Sequence, residues 1–449
     1  MPDGSGYMQP YLDQALDNAS SLTGAGVDWI DALRRAGADA YGAHGLPHRA
    51  DEYWRYTSLN ALANEDFQLT SDAPAIGLPS LPHKLVSELS TYRVVVVNGR
   101  LRPDLCALGG LPDDVLISGL EDLMAAAPER LEPYLGKIVR LQDMPMAALN
   151  TAFLRDGLAM FIGAGVALDK PVHLISITAP GDGRMMVQPR HLVVMGKNAE
   201  ATLIETHITA EGGSSFNNIV SELHLDDDAK LNHFVFQEES KTSVHLSGSA
   251  VSMGARTTYD SFVLQSGGAI GRSEIRAYMN GRGGDFRLDG VYLATDKQIV
   301  DNTTFVDHVA PECRSRQVYK GVLDGEARGV FQGKVHVLRD AQKTDGHQLS
   351  RALLLSPRAE IDARPELEIY ADDVKCSHGA TAGELDDDLL FYLLSRGIGR
   401  DDARRMLIEA FLSEAIEEIP HEQVAEDFTT HVRQWLARNV DAARKEISS

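Results

Sequence analysis

A recurring turn is the sequence feature that most limits how this chain can fold. Between about residues 170 and 370, short runs of apolar and β-branched residues alternate with turns in which a small residue adjoins a polar one. The turns lie at residues 197–200, 227–230, 253–256, 280–283, 324–327 and 357–360. Consecutive turns are about 30 residues apart, a period typical of solenoid folds, with one longer gap between the fourth and the fifth.

This spacing predicts a stack of coils. Each coil contributes short strands that pair with the coils above and below, and the stack buries a continuous apolar column. A β-sandwich contains short strands of the same kind, so the period alone leaves that fold open. No long helices alternate with the strands, which argues against a doubly wound α/β sheet.

Helical patterns flank the strand-rich core. Residues 8–65 and 115–160 have apolar residues at helical spacing, and a Pro/Gly-rich stretch at 77–79 and a β-branched run at 92–97 lie between them. From residue 385 three further helices are predicted, with Gly397 as a C-cap and the last helix from about 423 to 447. We therefore predict an N-terminal helical and mixed region (1–165), a β core (166–382) and a C-terminal helical domain (383–449).

Charge and cysteine content limit the class of partner and the compartment. The 449 residues include 43 basic and 65 acidic side chains, a formal net charge of −22, which makes nucleic acid and anionic membranes poor partners. Three widely spaced cysteines favour reduced thiols over a disulfide framework. Residues 1–6 do not resemble a secretory signal, and no run of about 18 apolar residues occurs. We expect a cytoplasmic protein that is not inserted in a membrane.

The segment 370–381 carries the strongest chemical signal. Cys376 and His378 are two residues apart, so an extended strand presents both on one face. Thiolate and imidazole are ligands for soft metals, and Lys375 and the nearby backbone are expected to lower the thiol pKa while Asp372 and Asp373 oppose it. Two ligands are fewer than the four that iron–sulfur clusters and structural zinc usually take. The pair is therefore either a structural cysteine beside a surface histidine, or part of a site that another subunit completes.

A second group of candidate ligands is weaker. His308 and Cys313 lie within six residues, but nothing in the pattern fixes their orientation, and a structural role is favoured. The glycines at 281–284 lack the strand, lysine and hydroxyl context of a phosphate-binding loop, and no nucleophile elbow occurs. We therefore expect no catalytic residues and no ATP hydrolysis by this chain.

Several segments resemble the SufB/SufD family of iron–sulfur cluster assembly proteins, and more closely its SufD branch. The most specific is 365–381, and 342–345, 353–356 and 359–362 precede it. Further similar segments are 52–57, 308–317, 319–321, 390–393 and 395–398. With only three cysteines and no N-terminal cluster of them, the chain is more similar to SufD than to SufB.

The resemblance implies a mainly β fold with helical ends, namely a right-handed parallel β-helix between helical terminal regions. It implies a non-catalytic scaffold in a complex with a SufB-like paralogue and a SufC-like ABC ATPase, which docks on the C-terminal helical domain. His378 matches the family's interface histidine and Cys376 the neighbouring cysteine. A transient iron–sulfur cluster or iron is expected at the interface, with no tightly bound cofactor on the isolated chain, which could form a homodimer.

Two other functions are compatible with the residues alone. One is a β-helix enzyme acting on polysaccharides, because that fold hosts such activities. The other is a stand-alone metalloprotein that uses Cys376, His378 and His308.

Overall fold

Two facing parallel sheets form the centre of the molecule. The computed structural model describes residues 9–70, 89–179, 183–210 and 213–439. The described strands build a parallel β-solenoid of about 7 turns, as the turn spacing predicts. Because sandwich sheets are antiparallel, the parallel pairing excludes the β-sandwich alternative.

From β8 onward the chain alternates between the two sheets, with even-numbered strands in the first sheet and odd-numbered strands in the second. The strands are β1 (Gln68–Leu69), β2 (Tyr92–Val97), β3 (Arg100–Leu101), β4 (Val115–Gly119), β5 (Leu158–Ile162), β6 (Val172–Thr178), β7 (Met185–Val187), β8 (Arg190–Met195), β9 (Glu200–Thr209), β10 (Ser215–Leu225), β11 (Lys230–Glu238), β12 (Val244–Met253), β13 (Thr258–Gln265), β14 (Ile270–Met279), β15 (Asp285–Ala294), β16 (Ile299–His308), β17 (Arg314–Leu323), β18 (Arg328–Val337), β19 (Asp345–Leu354), β20 (Glu360–Ile369) and β21 (Lys375–Gly383).

The predicted turns lie at two different corners of the coil. At the corner that leads from the first sheet to the second, one residue per coil has a positive φ, and its N–H usually donates to a carbonyl in the next coil. These residues are Asn198, Asp228, Arg256, Gly283, Glu312 and Lys343. The first four predicted turns lie there, whereas those at 324–327 and 357–360 lie at the opposite corner. The longer gap therefore marks a change of corner, and the turns at Glu312 and Lys343 were not predicted.

Apolar side chains fill the space between the sheets, here called the lumen. Leu203, Leu231, Tyr259 and Phe286 are buried there on successive strands of the second sheet. Before the first coils, Leu101, Leu108 and other residues of the 98–117 segment pack against this core. One end of the solenoid is therefore covered by the chain itself.

The N-terminal region covers the outer face of the first sheet. Its helices are α1 (Leu12–Asn18), α2 (Asp28–His44), α3 (Asn60–Ala63), α4 (Leu120–Ala126) and α5 (Pro145–Ala152). Trp54 and Leu149 pack with Phe216 and Leu246 of the sheet, and the Arg272 guanidinium lies 4.0 Å from the centre of the Trp54 ring. The 115–160 segment, predicted as helical, also contains β4 and most of β5, because its β-branched and apolar ends pair with the solenoid. The Pro/Gly-rich stretch at 77–79 lies outside the described residues, as does the 1–6 segment.

Three C-terminal helices follow the last strand, as predicted. They are α6 (Asp387–Ser395), α7 (Arg400–Ile416) and α8 (Glu422–Asn439), and the part of the last helix predicted beyond 439 is outside the described residues. Gly397 has a φ of 83°, the left-handed conformation expected of a C-cap glycine. Phe428 of α8 packs against Phe236 and Phe262 on the outer face of the second sheet. Helices therefore cover both outer faces of the solenoid.

Candidate functional site

The last coil of the solenoid ends in two uncovered strands. β20 is the final strand of the first sheet and β21 that of the second, and the structure describes no further strand beyond either. Such edges present backbone N–H and C=O groups that can pair with another chain. Beside them Ile369 and Tyr370 are 39% and 57% exposed. We call this surface the open end.

Cys376 and His378 lie on β21 and share one face of it. In the parallel ladder Cys376 is opposite Gly346 and His378 is opposite Gln348, and both partners are buried. Because side chains alternate along a strand, Cys376 and His378 face the lumen side. His378 is nevertheless exposed, since no described coil lies above it. The predicted sharing of a face is thus seen in the structure, at the open end.

The Cys376 thiol is half-buried beside apolar side chains. It packs with a small cluster that includes Val335, Val337 and Ala341. Burial raises the pKa of this thiol, with Asp345 adding to the shift and a hydrogen bond with the Gly346 backbone opposing it. Cys376 is therefore a neutral thiol at neutral pH, and a cation or metal at the open end would be needed to favour the thiolate.

The charged neighbours in sequence do not set this pKa. Lys375 was expected to lower it and Asp372 and Asp373 to raise it, but the groups that act are burial, Gly346 and Asp345. The prediction was wrong for these three charged residues, because the group that opposes the rise is the backbone of Gly346, which lies across the ladder, one coil earlier.

His308 and Cys313 lie deeper in the solenoid. Both are buried; the His308 Nε2 is 2.8 Å from the Ser315 Oγ, and burial lowers the His308 pKa to about 4. Burial also raises the pKa of the Cys313 thiol. Ser315 lies two register steps from Cys376, roughly 10 Å at the usual strand spacing. The structure therefore does not place these two residues beside Cys376 and His378, and their role as ligands stays a prediction.

A second group of ionisable side chains, which the sequence analysis missed, is buried in the lumen. We call it the inner polar cluster; its members are His191, Glu205, His207, His233, Glu239 and His245. The Glu205 carboxylate accepts hydrogen bonds from His207 Nε2 at 3.1 Å and His233 Nε2 at 3.0 Å. These contacts hold the pKa of Glu205 well below its usual range despite its burial.

Glu239 occupies a similar setting in the same cluster. Its carboxylate accepts from Asn217 Nδ2 at 2.6 Å and Gln237 Nε2 at 3.0 Å, and His245 Nδ1 lies 2.7 Å away. With His245 as the largest favourable influence, the pKa of Glu239 falls to about 2. These partners come from different strands, so the period of about 30 residues was the signal that could have brought them together.

Helix α6 exposes apolar side chains at the other functional region predicted from the sequence. Leu389, Phe391 and Tyr392 are 52%, 72% and 53% exposed, while Leu390 is buried. Helix α6 packs beside α7. The C-terminal helices therefore present an apolar surface that a further protein could cover.

The described residues contain no ready-made metal site. Within them, no group of three or more His, Cys, Asp and Glu side chains is arranged to hold a metal ion. The stand-alone metalloprotein alternative therefore gains no support from this arrangement.

Separately, none of the described helices is long and apolar enough to cross a membrane.

The fold and site together define a β-solenoid whose open end carries a thiol and an imidazole. Family models match nearly the whole chain. The SufBD protein N-terminal region matches residues 6–174, and the SufBD core domain of the SUF system for FeS cluster assembly matches residues 176–411. The chain belongs to the SufBD family of iron–sulfur cluster assembly proteins.

Individual relatives give the same result. An iron–sulfur cluster assembly SufBD family protein of Synechocystis is 32% identical over 415 residues, covering 91% of each chain. The iron–sulfur cluster assembly protein SufD of Escherichia coli is 32% identical over 399 residues, 87% of this chain and 90% of the relative. SufD of Bacillus subtilis is 26% identical over 322 residues, 70% and 72% of the two chains. The protein is therefore SufD-like.

Proposed function

We propose that this chain is the scaffold subunit whose open end pairs with a SufB-like subunit, and that a nascent iron–sulfur cluster forms between them. The observation that carries the proposal is the position of Cys376 and His378, on an uncovered strand at the open end. Cys376 and His378 supply two candidate ligands, whereas a cluster usually takes four. A partner seated on the open end would provide the remaining ligands and cover the exposed strands.

The strand edges supply a way for the partner to bind. β20 and β21 both have an unpaired edge, so a paralogue with a similar last coil could add strands to both sheets. Pro365 lies within β20 and removes one backbone donor there, which limits indiscriminate pairing. Binding would also bury Ile369 and Tyr370. The open end thus has the features of an interface made by backbone pairing.

We further propose that a SufC-like ABC ATPase docks on α6, and that its ATP turnover acts on the open end through the adjoining β21. Support comes from the exposed Leu389, Phe391 and Tyr392 and from the short connection, residues 384–386, between β21 and α6. In this scheme the chain itself is not an enzyme. We expect the complex to work in the cytoplasm, where its thiols stay reduced.

The interface proposal is tested by the iron and sulfide content of the complex. The chain would be co-expressed anaerobically with its SufB- and SufC-like partners, with His378→Ala compared with wild type. We expect the complex to assemble and to lose most of its iron and sulfide, because one candidate ligand is missing. The matched control is His347→Ala, an exposed histidine on the neighbouring strand that alternation places on the outer face. Unchanged iron and sulfide in His378→Ala would contradict the proposal.

The docking of the ATPase is tested separately at α6. Phe391→Asp should weaken capture of the SufC-like subunit without unfolding the chain, because the Phe391 ring is largely in solvent. Leu16→Asp is the control, since Leu16 is also more than half exposed but lies in the N-terminal region. Equal loss of capture in both variants, or in neither, would count against α6 as the docking site.

A further inference from the structure

We propose that Gln348 is a positioning residue for His378, holding one ring nitrogen by a hydrogen bond so that the other nitrogen faces the partner. This inference rests on the proposed function, because His378 acts there as a ligand. It concerns the three coils that end the solenoid. We call the lumen-facing residues Gln317, Gln348 and His378 the outer polar column.

The register places the three side chains in one row. Gln317 is opposite Gln348 in the pairing of β17 with β19, and Gln348 is opposite His378 in the pairing of β19 with β21. Neighbouring strands are about 4.8 Å apart, and side chains at paired positions point to the same side. The Gln348 amide is therefore the nearest polar group beneath His378 in this row.

The Gln348 amide has no partner of its own. The residue is 3% exposed, and neither its Nε2 nor its Oε1 makes a hydrogen bond to any described residue. The His378 ring also makes no hydrogen bond among the described residues, although it is exposed to solvent. An unpaired buried polar atom is costly, so an amide with two such atoms favours any arrangement that pairs one of them.

A glycine on the facing sheet fixes where this amide lies. A Cβ on Gly333 would lie 2.9 Å from Gln348 Nε2 and 3.1 Å from its Cδ, closer than side chains normally approach. The Gln348 side chain therefore spans the lumen and occupies the space that a larger residue would fill. The amide lies against the first sheet, so a side chain at position 333 would displace it.

The residue below is held in place by a different contact. Gln317 Oε1 accepts a hydrogen bond from Thr304 Oγ1 at 2.6 Å, which fixes the Gln317 amide across the lumen. Gln317 Nε2 has no partner among the described residues. The next residue in this row is the apolar Leu288, which is opposite Gln317 in the ladder. Gln317 Nε2 and both amide atoms of Gln348 are therefore left without a partner in this row.

The chemistry fits a metal ligand. A histidine that binds a metal almost always donates its other ring N–H to an acceptor, and this contact fixes the tautomer and the ring orientation. The Gln348 Oε1 can accept such a bond without adding charge. Gln348 would therefore prepare His378 to bind iron before the partner arrives.

The test is the tautomer ratio of the neutral His378 ring, measured by ¹⁵N NMR on the full chain labelled at histidine. The signal is assigned from its loss in His378→Ala. We expect Gln348→Leu to change the ratio about fivefold, the factor that one net hydrogen bond supplies. Gln348→Glu keeps an acceptor and should retain the wild-type preference. Gly333→Ala should disturb the ratio by displacing the amide, and Gln265→Leu, a buried amide of the same sheet nearer the start of the solenoid, should not.

An unchanged ratio in both Gln348→Leu and Gly333→Ala would overturn the inference. This readout needs neither iron nor a partner, so it is independent of the proposed function. If the ratio changes but His378→Ala complexes keep their iron, the positioning contact stands and the proposed ligand role fails. In the complex, Gln348→Leu should lower iron content less than His378→Ala does, and Gln348→Glu should restore it.

Discussion

The inner polar cluster and the outer polar column occupy the same lumen but differ in how far their hydrogen bonds are satisfied. In the inner cluster, both oxygens of Glu205 and of Glu239 have polar partners within 3.1 Å. In the outer column, both amide atoms of Gln348 lack a partner among the described residues. Phe286 and Leu288 separate the two groups. The difference therefore concerns the carboxylates of the inner cluster, which are paired, and the amide of Gln348, which is not; ring nitrogens of His191 and His207 in the inner cluster also lack a partner.

This contrast follows the two ends of the solenoid. The inner cluster lies in coils that the N-terminal and C-terminal regions enclose, where an unpaired charge would be costly. The outer column lies beneath the open end, where a partner can still supply hydrogen bonds. The two carboxylates of the inner cluster are thus paired within the fold, whereas the Gln348 amide, next to the open end, has no partner among the described residues.

The largest expected effect comes from breaking the inner cluster. Glu205→Ala should destabilise the surrounding coils by about 3–5 kcal/mol, the usual cost of removing one partner of a buried charged pair. His207 and His233 would both lose their acceptor. Hydrogen exchange of the β9–β11 amides measures this loss, and a change below about 1 kcal/mol would mean that the cluster contributes little to stability.

As the pH falls, the coils around the inner polar cluster should lose stability before the coil of Gln348 does. Burial lowers the pKa of His191 from 6.5 to about 4, so its neutral form stabilises the fold fully above pH 6.5, and this contribution is lost as the pH falls towards 4. Glu239 has a pKa of about 2 instead of 4.5, so its contribution is lost between those values. The amides of Gln317 and Gln348 do not titrate. His308, which contacts Ser315 of β17, has its pKa lowered by burial to about 4 as well, so β17 should lose protection in the same range. Exchange protection, corrected for intrinsic rates, should therefore fall in β8–β12 and β17 before it falls in β19; equal loss in β19 would contradict this.

Removing the outer amide should have a small effect on stability. Gln348→Leu eliminates two buried atoms that lack a partner among the described residues, and the His378 ring, which would lose its proposed contact, is exposed to solvent, so we expect a change within about 1 kcal/mol of wild type. Hydrogen exchange of the β19 amides is the measurement. A loss of several kcal/mol would show that Gln348 is a structural residue like Glu205.

The smallest effect concerns the rates at which two thiols react. Cys376 is half-buried at the open end, whereas Cys313 is fully buried, so alkylation of Cys376 should be roughly tenfold faster or more. Alkylation followed by peptide mass spectrometry measures both rates in one sample. Adding the SufB-like partner should slow the alkylation of Cys376 and leave the alkylation rate of Cys313 unchanged. Equal slowing at both cysteines would indicate a general stabilisation of the fold instead of coverage of the open end.

The sequence alone was enough to predict the coils, because turn residues and strand alternation are local. It also placed Cys376 and His378 on one face, since two residues on a strand always share a side. The turns at Glu312 and Lys343 escaped, although Asp228 and Arg256, which are also charged, occupy the left-handed region in turns that were predicted.

Contacts between coils could not be predicted without the register. Glu205 and His233 are 28 residues apart, and Gln348 is 30 residues from His378, so neither pair stands out in the linear sequence. The coil period brings His378 to Gln348 once the corners are aligned. The same limit explains the error at Cys376, whose pKa depends on Gly346 across the ladder and on the apolar residues around it.

The central claim is that the open end is the docking surface for a SufB-like partner, and anaerobic native mass spectrometry of the co-expressed proteins tests it most directly. We expect a heteromeric complex that contains this chain together with its SufB- and SufC-like partners, and we expect a charge placed on the open-end edge, Ile369→Asp, to release the SufB-like subunit. A monomer or homodimer that ignores both partners, or a complex that Ile369→Asp leaves intact, would contradict the account.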